Sequence, residues 1–429
     1  MSTVDQTHRI SRRRLLTVAV LVLGAGALAY WVIETQLAAR SRLDRVKAAL
    51  DADEPAVARR LADEYLASRP RNAEAHFRAA QAARRCGDVR GAETQLDEAA
   101  KLDWDASAIE VERALIRAQS GDLRSAEHIL AQRLREDHPD NRHILAVLVP
   151  ALMAEFRWIE ASAAAEKWTD LQPQSARAWA YRGEIFERLR KRNEAVTALR
   201  RASELDPSDR RSRFGLARML LETKQSPAEA AGHLEWLREV DPDNSAVIVQ
   251  LAVCREAQGQ VDEAEAMLDR VIAQRSQDAK AYYHRGRLEL NRGRAAAAIP
   301  FLRRADELDP GDTENLYSLF LCLQQVGTPA EAHAAEERWK RNAADLKQVA
   351  ELARAIAANP HDADLRREMG EIFLRNGRER DGVRWLESAL REQPDHKPSH
   401  RLLAAHYERA GQADLAARHK SLAEPPTGP

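Results

Sequence analysis

Three histidines near the C-terminus have a spacing that suits metal chemistry. His396 and His400 are four residues apart, and His406 follows closely. Two histidines at this spacing on one helix can share a metal ion, because residues four apart lie on the same helical face. Pro398, however, favours the first turn of a helix, which leaves His396 outside that helix. We therefore expect solvated histidines here, and we assign no metal and no cofactor to the chain.

The remaining residue types that carry chemistry form no catalytic pattern. The three cysteines, Cys86, Cys254 and Cys322, include no CxxC pair, so we expect neither a disulfide framework nor a cysteine zinc site. We expect the side chains of Cys254 and Cys322 to pack between helices. The chain also lacks a GxxxxGK[ST] phosphate loop, a GxSxG nucleophile turn and an HExxH metal motif. The sequence therefore predicts a protein that is not an enzyme.

The composition indicates helices and gives no global attraction to nucleic acid. Lys and Arg number 66 and Asp and Glu 67, for a net charge of −1. Because no net positive field exists, we expect no nucleic-acid partner. Aromatic residues make up only 5% and charged residues 31%, with 18 Gly and 17 Pro in 429 residues. This balance favours an all-α fold over a β-rich one.

One apolar segment, residues 15–33, has the length of a membrane helix. Its 19 residues carry no charge, and as a helix they span about 28 Å, close to the thickness of a hydrocarbon core. Because Arg12–Arg14 directly precede the segment, we predict a basic cytoplasmic tail at 1–14, a transmembrane helix or uncleaved anchor, and a periplasmic or otherwise extracytoplasmic remainder. The alternatives are a signal peptide cleaved near Ala27–Ala29 and a twin-arginine export signal at Ser11–Leu16.

Beyond residue 36, unit boundaries recur at a nearly constant interval. Most boundaries are 34 or 35 residues apart, and one interval is 50 residues, if the register passes through Trp104 and Ser276 where proline is absent. A fixed period of this size indicates stacked supersecondary units. The prolines that mark the boundaries are Pro70, Pro139, Pro173, Pro207, Pro242, Pro310, Pro360 and Pro394.

Three further markers follow the same intervals and predict a helix hairpin in each unit. Helix-capping residues open the first helix, glycines permit the left-handed turn that ends it, and small residues allow the second helix to approach closely. The capping residues are Asn72, Asn141, Ser175, Asp209, Asn244, Asp278, Asp312 and Asp362. The glycines are Gly87, Gly121, Gly259, Gly293, Gly327, Gly377 and Gly411. The small residues are Ala58, Ala92, Ala126, Ala161, Ala195, Ala230, Ala264, Ala298, Ala332, Gly382 and Ala416.

These residues in combination resemble the tetratricopeptide repeat (TPR). One unit carries the pattern Trp179, Gly183, Phe186, Ala195, Ala202 and Pro207. The resemblance covers residues 37–424 as about eleven units. It implies a right-handed superhelical solenoid in which the first helices line a concave groove. Each hairpin alone has too small a core, so neighbouring hairpins must stack.

The single long interval divides this array. We predict a TPR array at 37–344, a helical insertion at 345–360, a terminal TPR pair at 361–424 and a disordered tail at 425–429. The 16 extra residues of the insertion correspond to about four helical turns. They either cap the first block of repeats or act as a hinge that redirects the groove.

The resemblance also implies which residues face the groove, namely the fifth and ninth positions of each first helix. Aromatic rings beside arginines suit an extended peptide, since arginine binds carboxylates and rings cover apolar side chains. The alternative is that these residues are simply tolerated on an exposed face. The positions are Phe77, Gln81, Ala180, Glu184, Phe214, Arg218, Tyr283, Arg287, Tyr317, Leu321, Arg367 and Glu371.

The sequence therefore predicts a non-catalytic, membrane-anchored scaffold for protein–protein interactions, which binds a protein or peptide ligand in its concave groove. Bacterial envelope assembly or maturation is the setting that we expect. Two alternatives remain open: a substrate-recognition subunit of an enzyme complex, and a receptor that faces the cytoplasm.

Overall fold

The computed structural model describes residues 40–136 and 141–424, and these residues form 22 α-helices. The predicted tail at 1–14, the predicted membrane helix at 15–33 and the tail at 425–429 lie outside the described residues. Within the described ranges, no helix combines the length and apolarity that a membrane span requires. The chain divides into two compact units, Met1–Ile144 and Leu145–Pro429.

In the first unit, α1 occupies residues 40–51 of the described chain. It is followed by α2 (Pro55–Ser68), α3 (Ala73–Arg85), α4 (Val89–Lys101), α5 (Ala106–Gln119) and α6 (Leu123–Arg135). The boundary between the units falls within α7 (Asn141–Ala154).

The second unit continues with fifteen helices. They are α8 (Trp158–Leu171), α9 (Ala176–Arg188), α10 (Arg192–Leu205), α11 (Arg210–Glu222), α12 (Pro227–Val240), α13 (Ser245–Ala257), α14 (Val261–Gln274), α15 (Ala279–Asn291), α16 (Ala295–Leu308), α17 (Thr313–Val326), α18 (Pro329–Ala358), α19 (Ala363–Arg375), α20 (Glu379–Glu392), α21 (Lys397–Arg409) and α22 (Ala413–Ala423).

Consecutive helices pair as eleven hairpins in the described chain, hairpin 1 being α1–α2 and hairpin 11 being α21–α22. Helices α2 to α6 in the first unit and α8 to α22 in the second pack mainly on their sequence neighbours, as α10 does on α9 and α11. First helices also contact first helices of the next hairpin, as α9, α11, α13 and α15 do in turn. This nearest-neighbour pattern is that of an all-α solenoid, which confirms the predicted fold class at that level.

The helices begin largely where the sequence predicted. The side chains of Asn72, Ser175, Asp209, Asn244, Asp278, Asp312 and Asp362 each accept a hydrogen bond from a backbone N–H in the first turn. Asn141 differs, because it is the first residue of α7 and its amide donates to the Glu136 carbonyl oxygen at 2.7 Å. The capping role predicted for Asn141 is therefore wrong.

The predicted small residues lie where the two helices of a hairpin meet. Ala195 in α10 is fully buried, and it shares an apolar cluster with Leu199, Leu216 and Leu220. Ala58, Ala92, Ala126, Ala161, Ala230, Ala264 and Ala298 are equally buried in their own hairpins. A larger side chain at these positions would push the paired helices apart.

Hairpin 9 departs from the pattern of the others. Gly327, predicted to adopt a left-handed turn, has a φ of −88°, whereas Gly293 and Gly377 have a φ of +73°. The reason is local: Thr328 and Glu331 form a reciprocal capping box that opens α18 directly after the turn. The 30-residue α18 then runs without interruption to Ala358, so the boundary predicted at residue 345 lies inside one continuous helix.

Candidate functional site

Four of the predicted groove residues line one pocket in the second unit. Ala180 and Glu184 come from α9, and Phe214 and Arg218 come from α11. Neighbouring first helices place equivalent positions side by side, which brings these residues together. The pocket has a volume of about 470 Å³, a size in the range of small-ligand and peptide side-chain sites.

The floor of this pocket is apolar. Ala180, Tyr181, Phe214 and Gly215 line it, together with Leu199 from α10. The backbone at Gly215 packs closely on α10, because a Cβ atom there would lie 3.3 Å from Leu199 Cδ1. The floor therefore offers apolar surface to an inserted side chain.

The walls of the pocket carry charges that are largely paired within the protein. Arg211 donates to Glu184 at 2.5 Å, and Arg218 forms an ion pair with Glu187. Each pair joins α9 to α11, so it contributes to the contact between hairpins 5 and 6. Arg218 is consequently already engaged with a carboxylate of its own chain.

Two further arginines line the same pocket and form no ion pair within the described part of the chain. Arg177 contacts the rings of Trp168 and Tyr181, at 6.0 and 5.8 Å from the ring centroids. Arg188 lies 5.8 Å from the centroid of the Trp158 ring. Guanidinium groups held on rings keep their donors available for a carboxylate.

Sequence reasoning missed Arg177 and Arg188, although a signal for them was present. They lie three residues before Ala180 and four residues after Glu184, which is the spacing of one helical face. The fifth and ninth positions of the helix cover only the middle of that face. Extending the helical spacing in both directions along α9 would have identified them.

Tyr283 and Arg287, predicted for the same groove, lie on α15, outside this pocket. Tyr283 is 5% exposed, its hydroxyl donates to Glu314 at 3.3 Å, and burial raises its pKa to about 12. Arg287 donates to Glu256 at 2.5 Å. The Arg287–Glu256 pair is equivalent in position to Arg218–Glu187 two hairpins earlier, so both arginines tie neighbouring first helices together.

Tyr317 is the most exposed aromatic residue of the predicted set, at 42%. It lies on α17, and its ring centroid is 4.9 Å from that of Trp339 on α18. Phe320 lies 6.0 Å from the same Trp339 ring and is nearly parallel to it. Phe320 occupies the position that is glycine in α9, so an aromatic cluster separates the two helices of hairpin 9.

Phe77 and Gln81 belong to the first unit and line a different cavity. Phe77 stacks on Trp104 with ring centroids 5.6 Å apart, and Gln81 accepts a hydrogen bond from Arg78 at 2.9 Å. The cavity they share with His143 measures about 30 Å³, which suits no more than buried water. Burial and nearby guanidinium groups, first that of Arg85, lower the pKa of His143 to about 3.

The C-terminal histidines are buried, so the prediction that they are solvated is wrong. His396 precedes α21, as expected from Pro398, but His396, His400 and His406 are 5, 3 and 7% exposed. His400 contacts His419 through their Nδ1 atoms at 2.9 Å, and its Nε2 lies 3.0 Å from the Pro394 carbonyl oxygen. These histidines fill the interior of hairpin 11. Its small core can accommodate their rings because the ring nitrogens find hydrogen-bond partners within the protein, as those of His400 do. Among the described residues, no three potential ligands are grouped as a metal would need.

Two of the three cysteines are inaccessible. Cys254 and Cys322 are fully buried on α13 and α17. The Cys254 thiol donates to the Pro227 carbonyl oxygen at 3.0 Å, and burial raises the pKa of Cys322 to about 11. A thiol that stays protonated in an apolar setting is a packing group.

Family models described as Tetratricopeptide repeat match several parts of the chain. The matched residues are 43–107, 186–245, 224–288, 279–312 and 349–397. Together they cover more than half of the sequence. No curated protein has significant similarity to this chain.

Several solved structures resemble parts of the structure. YrrB, described as a TPR protein with an unusual peptide-binding site, is 20% identical, covers 44% of this chain and 96% of its own, with a TM-score of 0.37. PilW, a type IV pilus biogenesis factor, is 20% identical over 47% of this chain and 93% of its own, with a TM-score of 0.41. A tetratricopeptide repeat protein from Parabacteroides merdae is 14% identical over 73% of this chain and 98% of its own, with a TM-score of 0.42.

Proposed function

Because this chain belongs to the tetratricopeptide repeat family, we propose that it is a non-catalytic scaffold that binds an extended segment of a partner protein between α9 and α11. One observation carries the proposal. The pocket there combines an apolar floor with Arg177 and Arg188, neither of which forms an ion pair within the described part of the chain. Such a surface offers an anchor for an apolar side chain and donors for a carboxylate.

The binding mechanism follows from the geometry. The floor exists before the ligand arrives, so the protein loses little conformational entropy on binding. An apolar ligand side chain against Phe214 is removed from water, and a nearby acidic side chain accepts hydrogen bonds from Arg177 or Arg188. Glu184 and Glu187 stay paired with Arg211 and Arg218, which keeps the walls in place. The ligand class is therefore a peptide segment with an apolar anchor beside a carboxylate.

Filling the pocket tests this proposal. In the variant Ala180→Trp, the added ring occupies the open groove without removing a core side chain, since Ala180 lines the pocket. Partners are first captured with the full chain and identified by mass spectrometry, and overlapping peptides from them are then titrated by fluorescence anisotropy. We expect Ala180→Trp to weaken the peptide that binds by about 10- to 100-fold, the range of a lost anchor contact.

The matched control is Arg401→Trp, which places the same ring at the equivalent fifth position of α21. This variant should bind the peptide as the parent does, and both variants should unfold at the parental temperature. An unchanged Kd for Ala180→Trp would refute binding at this pocket. Purified protein that converts a substrate without any partner would refute the non-catalytic role.

We also propose that residues 15–33 hold the scaffold at a membrane and that the repeats lie outside the cytoplasm, in a role in bacterial envelope assembly or maturation. The uncharged run and the preceding Arg12–Arg14 support this placement. A scaffold fixed at the membrane meets membrane-bound partners at a raised effective concentration.

A further inference from the structure

The turn between α7 and α8, residues 155–157, contacts a hairpin more than two hundred residues later in the same unit. Arg366 Nη1 on α19 donates to the Glu155 carbonyl oxygen at 2.9 Å, across 211 residues of sequence. Arg391 on α20 forms an ion pair with the Glu155 carboxylate at 3.0 Å. These bonds join hairpin 4 to hairpin 10, whereas the helices of this unit otherwise pack mainly on their neighbours in sequence.

Phe156 extends this contact into an apolar core. Its ring stacks on Trp385 of α20, with centroids 3.8 Å apart and an interplanar angle of 20°. The guanidinium of Arg384 lies 5.1 Å from the centroid of the Phe156 ring. The cluster against which Phe156 packs consists of Leu352, Ile356, Met369, Ile372 and Trp385, from α18, α19 and α20. A residue of hairpin 4 thus completes the core of hairpin 10.

The backbone of Phe156 adopts the left-handed turn that ends α7. Its φ is +60°, a left-handed conformation that large side chains rarely adopt. The equivalent turn positions in other hairpins are often glycine, as at Gly259 and Gly293. Phe156 is an aromatic residue in a conformation that favours glycine. A glycine there could not provide the ring that stacks on Trp385.

Arg366 depends on the same turn for one of its hydrogen bonds. Its side chain is 0% exposed and also donates to the Pro360 carbonyl oxygen at 3.0 Å, while Glu392 lies 3.4 Å away. Burial lowers its pKa, because a charge inside the protein loses its hydration. A buried guanidinium whose partner is removed is left with an unsatisfied donor, which is costly. Separation of Glu155 from Arg366 therefore carries an energetic penalty.

The long helix α18 supports hairpin 10 from its other side. The buried side chain of Asn342 donates to Asn376 Oδ1 at 3.1 Å, in the turn after α19. Asp345 accepts hydrogen bonds from Arg375 at 2.5 Å and from Asn376 at 2.8 Å. The extension of α18 thus anchors the end of α19, and its later residues Leu352 and Ile356 reach the cluster that contains Phe156.

We propose that residues 155–157 are a clasp that fastens hairpin 4 to hairpin 10 and fixes the curvature of hairpins 5 to 9 between them. The clasp closes a continuous path through the second unit, from α8 onward to α20. With the clasp fastened, the groove that includes α9 and α11 cannot open by uncoiling of the array. Release of the clasp lets this segment extend as a spring. This inference does not depend on what the groove binds.

Distances between spin labels test the clasp in the full chain. The labels are placed at Ala163→Cys on α8 and Arg380→Cys on α20, both exposed positions. Exposed Cys86 is replaced by serine, and buried Cys254 and Cys322 stay unlabelled. The test substitution is Phe156→Gly, which removes the ring and relieves the left-handed backbone. We expect the distance distribution to shift to longer values and to broaden, with helix content unchanged.

The matched control is Arg190→Gly, at the equivalent left-handed position of hairpin 5, where φ is +59°. It changes the same turn geometry without removing a clasp residue and should leave the distance distribution as in the parent. A second variant, Arg391→Ala, removes only the ion pair with Glu155 and should give a smaller shift than Phe156→Gly. Overlapping distributions for Phe156→Gly and the parent would overturn the clasp, as would an equal shift in Arg190→Gly.

Discussion

At the scale of single residues, the closeness of the two helices in hairpins 5 and 8 depends on the absence of a side chain at one position. A Cβ atom on Gly183 would lie 2.6 Å from Leu199 Cγ, and one on Gly286 would lie 2.8 Å from Leu302 Cγ. Real Cβ atoms do not approach other atoms this closely, so the glycine sets the distance between first and second helices. In hairpin 9, Phe320 occupies this position and its ring lies nearly parallel to that of Trp339 on α18.

Gly183→Ala and Gly232→Ala separate this packing role from helix propensity. Both residues lie inside helices, but a Cβ on Gly232 would meet no atom within 4 Å. Alanine stabilises a helix interior by roughly 0.5–1 kcal/mol relative to glycine. We therefore expect Gly232→Ala to raise the midpoint of thermal unfolding. Gly183→Ala should lower it, because overpacking costs about 1–3 kcal/mol. Equal increases in the two midpoints would contradict the close contact at Gly183.

At the scale of elements, α18 is held in place by buried polar groups as well as by apolar ones. Asn342 contacts Thr313 at the start of α17 and Asn376 after α19, so one side chain joins three helices. A buried amide can be accommodated only if its donors and acceptors are satisfied. These fixed bonds select one rotational setting of α18 relative to hairpin 10.

Asn342→Ala tests this polar contact. The variant removes the donor to Asn376 Oδ1 and the acceptor of the Thr313 hydroxyl, and the loss should cost about 1–3 kcal/mol. We expect faster amide hydrogen exchange across α19, while α9 keeps its parental rates. Lys347→Ala, at an exposed position of the same helix, is the control and should leave exchange in α19 unchanged. Parental exchange rates in α19 of Asn342→Ala would show that the Asn342 amide does not hold α18 against α19.

At the scale of the whole molecule, many of the oppositely charged side chains form ion pairs that join neighbouring hairpins. Pairs such as Arg200–Glu229 at 2.9 Å and Arg338–Asp306 at 2.8 Å join successive hairpins, and the net charge of the full chain is −1. Exposed pairs of this kind contribute little individually and specify geometry more than stability. The proposed binding surface is local, in the pocket on α9 and α11, and the proposed attachment to a membrane rests on residues 15–33.

Lysines placed in that segment test the attachment. Val22→Lys with Leu23→Lys puts two charges at its centre, where each costs about 2.5–3.5 kcal/mol in a membrane helix. We expect the double variant to move from the membrane pellet to the soluble fraction of cells. Gln36→Lys, just beyond the segment, should stay in the pellet. A parental distribution of the double variant would exclude residues 15–33 as the anchor.

Protease digestion determines the side of the membrane on which the repeats lie. With the repeats outside the cytoplasm, protease added to cells whose outer barrier has been opened should degrade them while a cytoplasmic marker stays intact. Protection of the repeats under these conditions would instead favour the receptor that faces the cytoplasm.

Most of the hairpin pattern was predictable from the sequence, because it depends on contacts within about 34 residues. Asp278 at a helix start, Gly293 in a turn and Ala298 between helices act locally, and their spacing is visible in the sequence. The contacts of the groove residues were less predictable from the sequence. Glu184, Phe214 and Arg218 were placed in one pocket, but the pairing of Arg218 with Glu187 depends on side-chain geometry between hairpins.

The sequence by itself determined the repeat, the boundaries of most helices and the small residues between them, because these follow from helical period, capping and steric size. Only the tertiary structure decided that Tyr283 is buried while Tyr317 is exposed, that the C-terminal histidines face inward, and that Phe156 meets Trp385. The first two outcomes depend on side-chain packing within and between adjacent hairpins. The third depends on the accumulated rotation of the hairpins between Phe156 and Trp385. Small angles add up over that distance, and no local pattern in the sequence records their sum.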